Sequence, residues 1–119
     1  MKDFKKLKIW QRSHQLALDI YRASKIFPAE EIYGLTRQMR NASTSIPTNI
    51  AEGCGRGSEA ELARFCQIAM GSASELEYHL LLAKDLGLIK ESKFDLLNQE
   101  VIEVKMMLTA FIKRLKADR

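Results

Sequence analysis

From Phe94 to Leu115 the apolar residues Phe94, Leu97, Val101, Val104, Leu108, Phe111 and Leu115 follow an unbroken 3-4-3-4-3-4 spacing. That spacing keeps every member on one face of a helix. On a strand, with its two-residue period, the same residues would scatter over both faces. A single helix cannot bury such a seam alone. It needs neighbouring helices at a shallow crossing angle, so the chain is read first as a helical bundle.

Three further segments carry helical patterns. The first runs from about Phe4 to Phe27, with one stripe of Leu16, Ile20, Ala23 and Phe27 and a second of Leu7, Trp10, Ala17 and Tyr21. Together the stripes are wider than a surface helix needs. The second runs from about Glu30 to Glu52 along Ile32, Leu35, Met39, Ala42 and Ile46. Pro47 falls inside it, where it removes a hydrogen bond to the Ser43 carbonyl and is expected to kink the helix. The stretch 53–57, GCGRG, reads as the break. The third segment opens at Ser58, with Glu61 three residues on as a capping box, and runs to about Leu86 before a stop at Gly87. The fourth, which carries the opening seam, is expected to begin at Ser92. Only 6 Gly and 2 Pro in 119 residues argue against a turn-rich β fold. The short connections make consecutive helices antiparallel neighbours. The expectation is an all-α, up-down-up-down four-helix bundle, with residues 1–119 as one domain.

Little in the chain points to catalysis. The two histidines, His14 and His79, lie on different helices and neither adjoins a nucleophile. Glu75 and His79 are four apart, with no second copy of the kind that a bundle metal site needs. Cys54 and Cys66 have neither zinc nor redox-pair spacing; Cys66 is expected in the core and Cys54 as an exposed thiol in the glycine-rich connection. The GCGRGS stretch, 53–58, precedes a helix start and offers backbone N–H groups to a phosphate, but lacks P-loop spacing. The plainer reading is a flexible connection. No catalytic residue, cofactor or metal is expected. The longest unbroken apolar run, Leu80–Ala83, is far short of a membrane span. The lysine-rich start has no apolar core of a signal peptide. A cytoplasmic protein with no membrane partner is the expectation.

The stretch Ser45–Gly53, SIPTNIAEG, is unusual. Asn49 occupies the seam position that follows Ala42 and Ile46, and a buried amide must find partners. Two readings stay open: a self-satisfying polar knot around Pro47, or a device for subunit contact or register. In the third segment, Gly71 and its small neighbours are read as a place of close helix approach, within the bundle or across a subunit boundary.

The net charge of +4 is modest, but it is not spread evenly. Residues 1–27 hold seven Lys/Arg against two Asp/Glu, the next thirty are neutral, residues 58–90 carry −2 and residues 91–119 carry +1. The expected topology brings the start of the first helix, the second connection and the end of the fourth helix to one pole. That pole gathers Lys2, Lys5, Lys6, Lys8, Arg12, Arg56, Lys113, Arg114, Lys116 and Arg119. Its acids are Asp3, Glu52, Glu59, Glu61 and Asp118, leaving it about five charges positive. Lys113, Arg114 and Lys116 suit a helix C-terminus, whereas Lys2, Lys5 and Lys6 oppose the dipole of a helix that starts at Phe4. The pole is read either as solvated surface or as a site for nucleic-acid phosphates, RNA or DNA. A membrane surface fits less well, because the apolar face of the first helix is needed for the core. Few exposed aromatics flank the lysines, so base stacking is not expected.

Beyond these physical readings, the chain resembles the four-helix-bundle family encoded in intervening sequences of bacterial 23S ribosomal RNA genes. The resemblance runs through Phe4-x-x-Leu7, Trp10-Gln11, Ile20-Tyr21, Phe27-Pro28, Glu31, Tyr33-Gly34-Leu35 and Gln38-Met39-Arg40. Its core is Ser45-Ile46-Pro47-Thr48-Asn49-Ile50-Ala51-Glu52-Gly53, followed by Ile68-Ala69 and Gly71-Ser72. The resemblance implies a homopentamer with no established enzymatic activity. A related protein is the accessory subunit of diversity-generating retroelements, a basic pentamer that works with a reverse transcriptase and nucleic acid. On this resemblance Ser45, Pro47, Asn49, Glu52, Gly53 and Gly71 are structural. The functional expectation is a non-enzymatic oligomer that binds nucleic acid weakly through its basic pole. The alternative is a homo-oligomeric scaffold whose partner is another protein.

Overall fold

The computed structural model describes residues 2–32 and 34–117. Four helices, α1 (Lys8–Ser24), α2 (Leu35–Gly55), α3 (Glu59–Asp85) and α4 (Glu91–Ala117), are joined by short connections, with 3₁₀ turns at Phe4–Lys6 and Ala29–Glu31. The short connections make consecutive helices antiparallel, and cross-helix contacts tie them together. Arg12 of α1 pairs with Glu103 of α4, Ser45 of α2 bonds Ser72 of α3, and Glu77 of α3 pairs with Lys105 of α4. Each helix packs on its two neighbours in the ring α1–α2–α3–α4–α1. The molecule measures 46 × 23 × 20 Å, its long axis accommodating helices of 27 residues at about 1.5 Å rise each. It is the expected up-down-up-down bundle.

The centre is apolar and contributed by all four helices: Leu16 and Ile20, Met39, Ile46 and Ile50, Leu62, Leu76 and Leu80, then Leu97, Val101, Val104 and Leu108. The α4 seam is buried from Leu97 onward, with Phe94 half-buried at its end. The Ser58 hydroxyl accepts the Glu61 N–H at 3.1 Å, as the capping box predicts. Gly87 takes φ +75° after α3, the left-handed conformation that glycine adopts without steric cost.

Several boundaries differ from the expectation. The first segment is divided: Asp3 caps a 3₁₀ turn through the Lys5 N–H, Leu7 is extended, and α1 starts only at Lys8. Lys2, Lys5 and Lys6 therefore precede the helix, and Lys8 alone stands in its first turn. The second helix begins at Leu35 instead of Glu30, leaving Ile32 outside the core at 48% exposure. It runs through Pro47 and on to Gly55, past the expected break. The fourth helix starts at Glu91, where the Phe94 N–H reaches the Lys90 carbonyl, so Ser92 lies inside it.

Tight packing between α2 and α3 explains the extension. A Cβ on Gly53 would lie 2.9 Å from Phe65 Cβ and 3.2 Å from Leu62 Cα. Gly53 lets the two backbones approach, and the contact outweighs the weak helix propensity of glycine, about 1 kcal/mol per residue. The same extension buries Cys54, at 3% exposure, instead of leaving it in a loop. Gly71 is the reverse case. Its Cβ position meets open space, so it serves no close approach within the chain. Its neighbours Ala69 and Ala73 on the same helix are fully buried in the core. The half-buried Asn49 closes a polar knot: its amide donates to the Ser45 carbonyl at 2.7 Å and to the Ser45 hydroxyl at 3.0 Å, which contacts the Ser72 hydroxyl at 2.8 Å.

Where α1 meets α4, carboxylates crowd. Glu100, half-buried, has its pKa pushed up to about 7, by burial first and then by a hydrogen bond to Asp19 and that residue's charge; Arg12 and Lys93 pull it back only in part. Asp19 also accepts from Gln15 and Arg22.

Two sets of variants test these assignments. Gly53→Ala should destabilise by about 1–3 kcal/mol, as overpacking does, while Gly71→Ala should stabilise by up to about 1 kcal/mol; urea unfolding measures both. For Glu100, the folded pKa lies above the unfolded value, so its contribution is complete in acid and is lost as pH rises from about 4.5 to about 7. Glu100→Gln should therefore raise Tm over the parent by an amount that grows from pH 4.5 to pH 8. A gap independent of pH would disprove the shared-proton arrangement.

Candidate nucleic-acid interface

The antiparallel topology brings three parts of the chain to one end of the bundle. Lys6 and Lys8, before and at the start of α1, face Arg114 in the last turn of α4 across a cleft of about 340 Å³. Its walls are otherwise apolar, with Leu7, Ile9, Met107 and Phe111, and no carboxylate lines it. Arg114 rests on the Phe111 ring, its guanidinium carbon 5.2 Å from the centroid. Lys2 lies beside the α2–α3 turn, bordering a small recess with Gly53, Gly57 and Ser58. Burial raises the pKa of the adjoining Cys54 thiol, and Lys2 opposes that rise.

Three acids of this end are engaged locally, while a fourth, Glu59, lines the recess beside Lys2. Asp3 accepts the Lys5 N–H at 3.1 Å, Glu52 pairs with Arg56 at 2.8 Å, and Glu61 pairs with Arg64 at 2.9 Å. The Arg64 hydrogen bond holds the Glu61 carboxyl below its usual range. Of the predicted basic residues, Arg12 and Arg56 are thus neutralised by partners. Lys2, Lys5, Lys6, Lys8, Arg114 and Lys116 make no ion pair among the described residues. Lys113 is separate: it borders a second groove between α3 and α4, with Met70, Ile102 and Met106. Arg119 lies outside the described residues. The pole expected from the sequence therefore resolves into a cluster of Lys6, Lys8 and Arg114, flanked by Lys2 and Lys5, with Lys116 exposed in the last turn of α4.

Sequence reasoning missed a second feature on the neighbouring face. Phe4 folds back onto Trp10, ring centroids 4.9 Å apart and edge to face. Trp10 stacks on His14 at 4.8 Å with an interplanar angle of 8°. The signal available was the i, i+4 spacing of Trp10 and His14; the return of Phe4 depends on the extended Leu7, which periodicity does not reveal. These rings form one wall of an open groove of about 510 Å³ between α1 and α2, and Pro47, Thr48 and Ala51 form the other.

The described residues hold no group of three or more His, Cys, Asp or Glu able to bind a metal ion. His79 is buried, its pKa lowered by burial, with Glu75 on its outer edge at 3.5 Å. The fully buried Cys66 has its thiol pushed up to about 12, which leaves it a poor nucleophile. No described helix is long and apolar enough to cross a membrane.

Comparison with known proteins agrees with this architecture. The chain is similar to a protein of unknown function from the S23 ribosomal protein family of Bacteroides thetaiotaomicron, whose crystal structure superposes with a TM-score of 0.79 at 25% identity, covering 88% of this chain and 98% of that one. No curated protein matches the chain. The family model of the 23S rRNA-intervening sequence protein matches residues 5–110. With that match covering α1 to α3 and most of α4, the chain belongs to the 23S rRNA-intervening sequence protein family.

Proposed function

We propose that this protein is a non-enzymatic, oligomeric helical bundle that binds RNA or DNA weakly through backbone phosphates. The carrying observation is the cleft where Lys6, Lys8 and Arg114 converge without a carboxylate among its lining residues. Phosphate contact by lysine and arginine releases counterions and confers affinity without sequence readout. Lys2 and Lys5 extend the positive surface toward the α2–α3 turn and the aromatic groove. The family's resemblance to pentameric bundles supports a homopentamer, and the apolar groove between α3 and α4, with Met106 66% exposed beside it, is a surface suited to self-association. The competing reading, a scaffold for another protein, draws on that same groove.

Fluorescence anisotropy with labelled RNA and DNA oligomers at stepped salt concentrations tests the proposal. Affinity should fall with salt by a log–log slope near 0.7–0.9 for each phosphate contacted. Replacing Lys6, Lys8 and Arg114 together with Gln should lower that slope by about two, with helicity unchanged in circular dichroism. An unchanged slope removes the cleft from the site, and absent binding at low salt leaves the scaffold reading. Light scattering that returns a 13.6 kDa species at micromolar concentration would reject the oligomer.

A further inference from the structure

We infer that the groove between α1 and α2 is a stacking site for unpaired bases of a single-stranded nucleic acid whose phosphates lie on the adjoining basic segment. The inference rests on the nucleic-acid reading above and adds to it a second surface and a preference for single strands.

The groove has the chemistry of such a site. Its volume of about 510 Å³ falls within the range of about 300–1,000 Å³ usual for small-molecule pockets. Its α1 side is aromatic: Phe4, Trp10 and His14 in mutual contact, then Tyr21. His14 and Tyr21 are exposed, and Trp10 is half-buried, so ring surface is open to solvent. Every base has a π face, and aromatic side chains bind such faces with little regard to sequence. The groove is lined by no Asp or Glu.

Cations stand at both ends. The Lys5 ammonium lies 5.6 Å from the centroid of the Phe4 ring. At the other end the Arg40 guanidinium lies 4.7 Å from the centroid of Tyr21. Arg40 donates to the Ser24 hydroxyl and the Tyr21 carbonyl, and has no carboxylate partner among the described residues. An apolar aromatic trough with positive charge at each end and no acid along it complements a flat ring joined to an anionic group on either side. A nucleotide within a single strand has that form. A duplex does not offer it, because its bases are already stacked and paired. An apolar segment of another protein would satisfy the trough but leave the two terminal cations without counter-charge.

Trp10 is the sole tryptophan of the chain, so its fluorescence reports on the groove directly. The test titrates the full-length protein at low salt with an end-labelled oligouridylate, an oligothymidylate and a duplex DNA of equal length, following label anisotropy and Trp10 emission together. Single strands should bind and quench Trp10; the duplex should bind through the basic cleft without quenching. His14→Ala, at an exposed position, should weaken single-strand binding about five-fold or more and leave duplex affinity unaltered. Thr48→Glu, on the opposite wall, should do the same by placing a charge against the strand, and both variants should keep the parent's Tm within about 2 °C. Single strands that bind without quenching Trp10, or that bind His14→Ala as well as the parent, overturn the groove assignment and leave the phosphate site standing. Binding of neither strand form removes both. A Trp10 emission shift that follows protein concentration alone overturns the assignment in favour of a second copy in the groove.

Discussion

The close approach of α2 to α3 at Gly53 is the constraint on which this end of the bundle depends. With Phe65 Cβ and Leu62 Cα about 3 Å from where a side chain would begin, the two helices are held together up to the turn that joins them. The turn can then be only three residues, 56–58, and α3 starts at once under its Ser58 cap. The short, tight corner forms part of the recess where Lys2 is seated. The N-terminal segment therefore has a defined surface to lie against, with Lys2 at this corner and Lys6 and Lys8 beside Arg114 at the end of α4. Packing at one glycine thus connects to the charge pattern at the pole.

That pattern is sharper than net charge conveys. Three acids at the basic end are used in local structure: Asp3 caps a 3₁₀ turn, Glu52 holds Arg56 in the turn beyond α2, and Glu61 holds Arg64 on α3, while Glu59 lines the recess beside Lys2. Surface pairs of this kind contribute little to stability. Their effect here is selective. They neutralise Arg56 and Arg64 and leave Lys5, Lys6 and Lys8 without an ion pair among the described residues. Arg12 is likewise taken by Glu103, in a seam that already holds Asp19 and Glu100. Lys6, Lys8 and Arg114 at the cleft make no ion pair among the described residues.

Much of the fold was legible in the chain because it rests on periodicity. The α4 seam, the Ser58 cap and the Gly87 stop each express a local rule, and all three stand, though the Glu61 carboxylate goes to Arg64 instead of closing a capping box. What was not legible depends on contact between distant parts. The run of glycines at 53–57 reads locally as a break, yet α2 continues through Gly55 because Gly53 meets Phe65. Cys54 is buried for the same tertiary reason. Asn49, expected to seek partners, finds them in Ser45, and through it reaches Ser72 of α3, which periodicity cannot pair. The basic pole followed from topology and could be listed by residue. Which of its members remain uncompensated required the carboxylates' positions.

The aromatic groove shows the same limit at the functional level. Lysines alone suit a phosphate surface, and the sequence offered no flanking aromatic cluster. The cluster exists because Leu7 is extended, which breaks the first helix and turns Phe4 back onto Trp10. A continuous helix from Phe4 would instead carry residue 4 about 9 Å along the axis from residue 10. The same break separates Lys5 and Lys6 from the unfavourable end of the α1 dipole, so placing positive charge there costs α1 little. One extended residue therefore does two things. It relieves the electrostatic conflict that the lysines would pose in a longer helix, and it assembles rings beside them, so that aromatic and cationic groups share one surface.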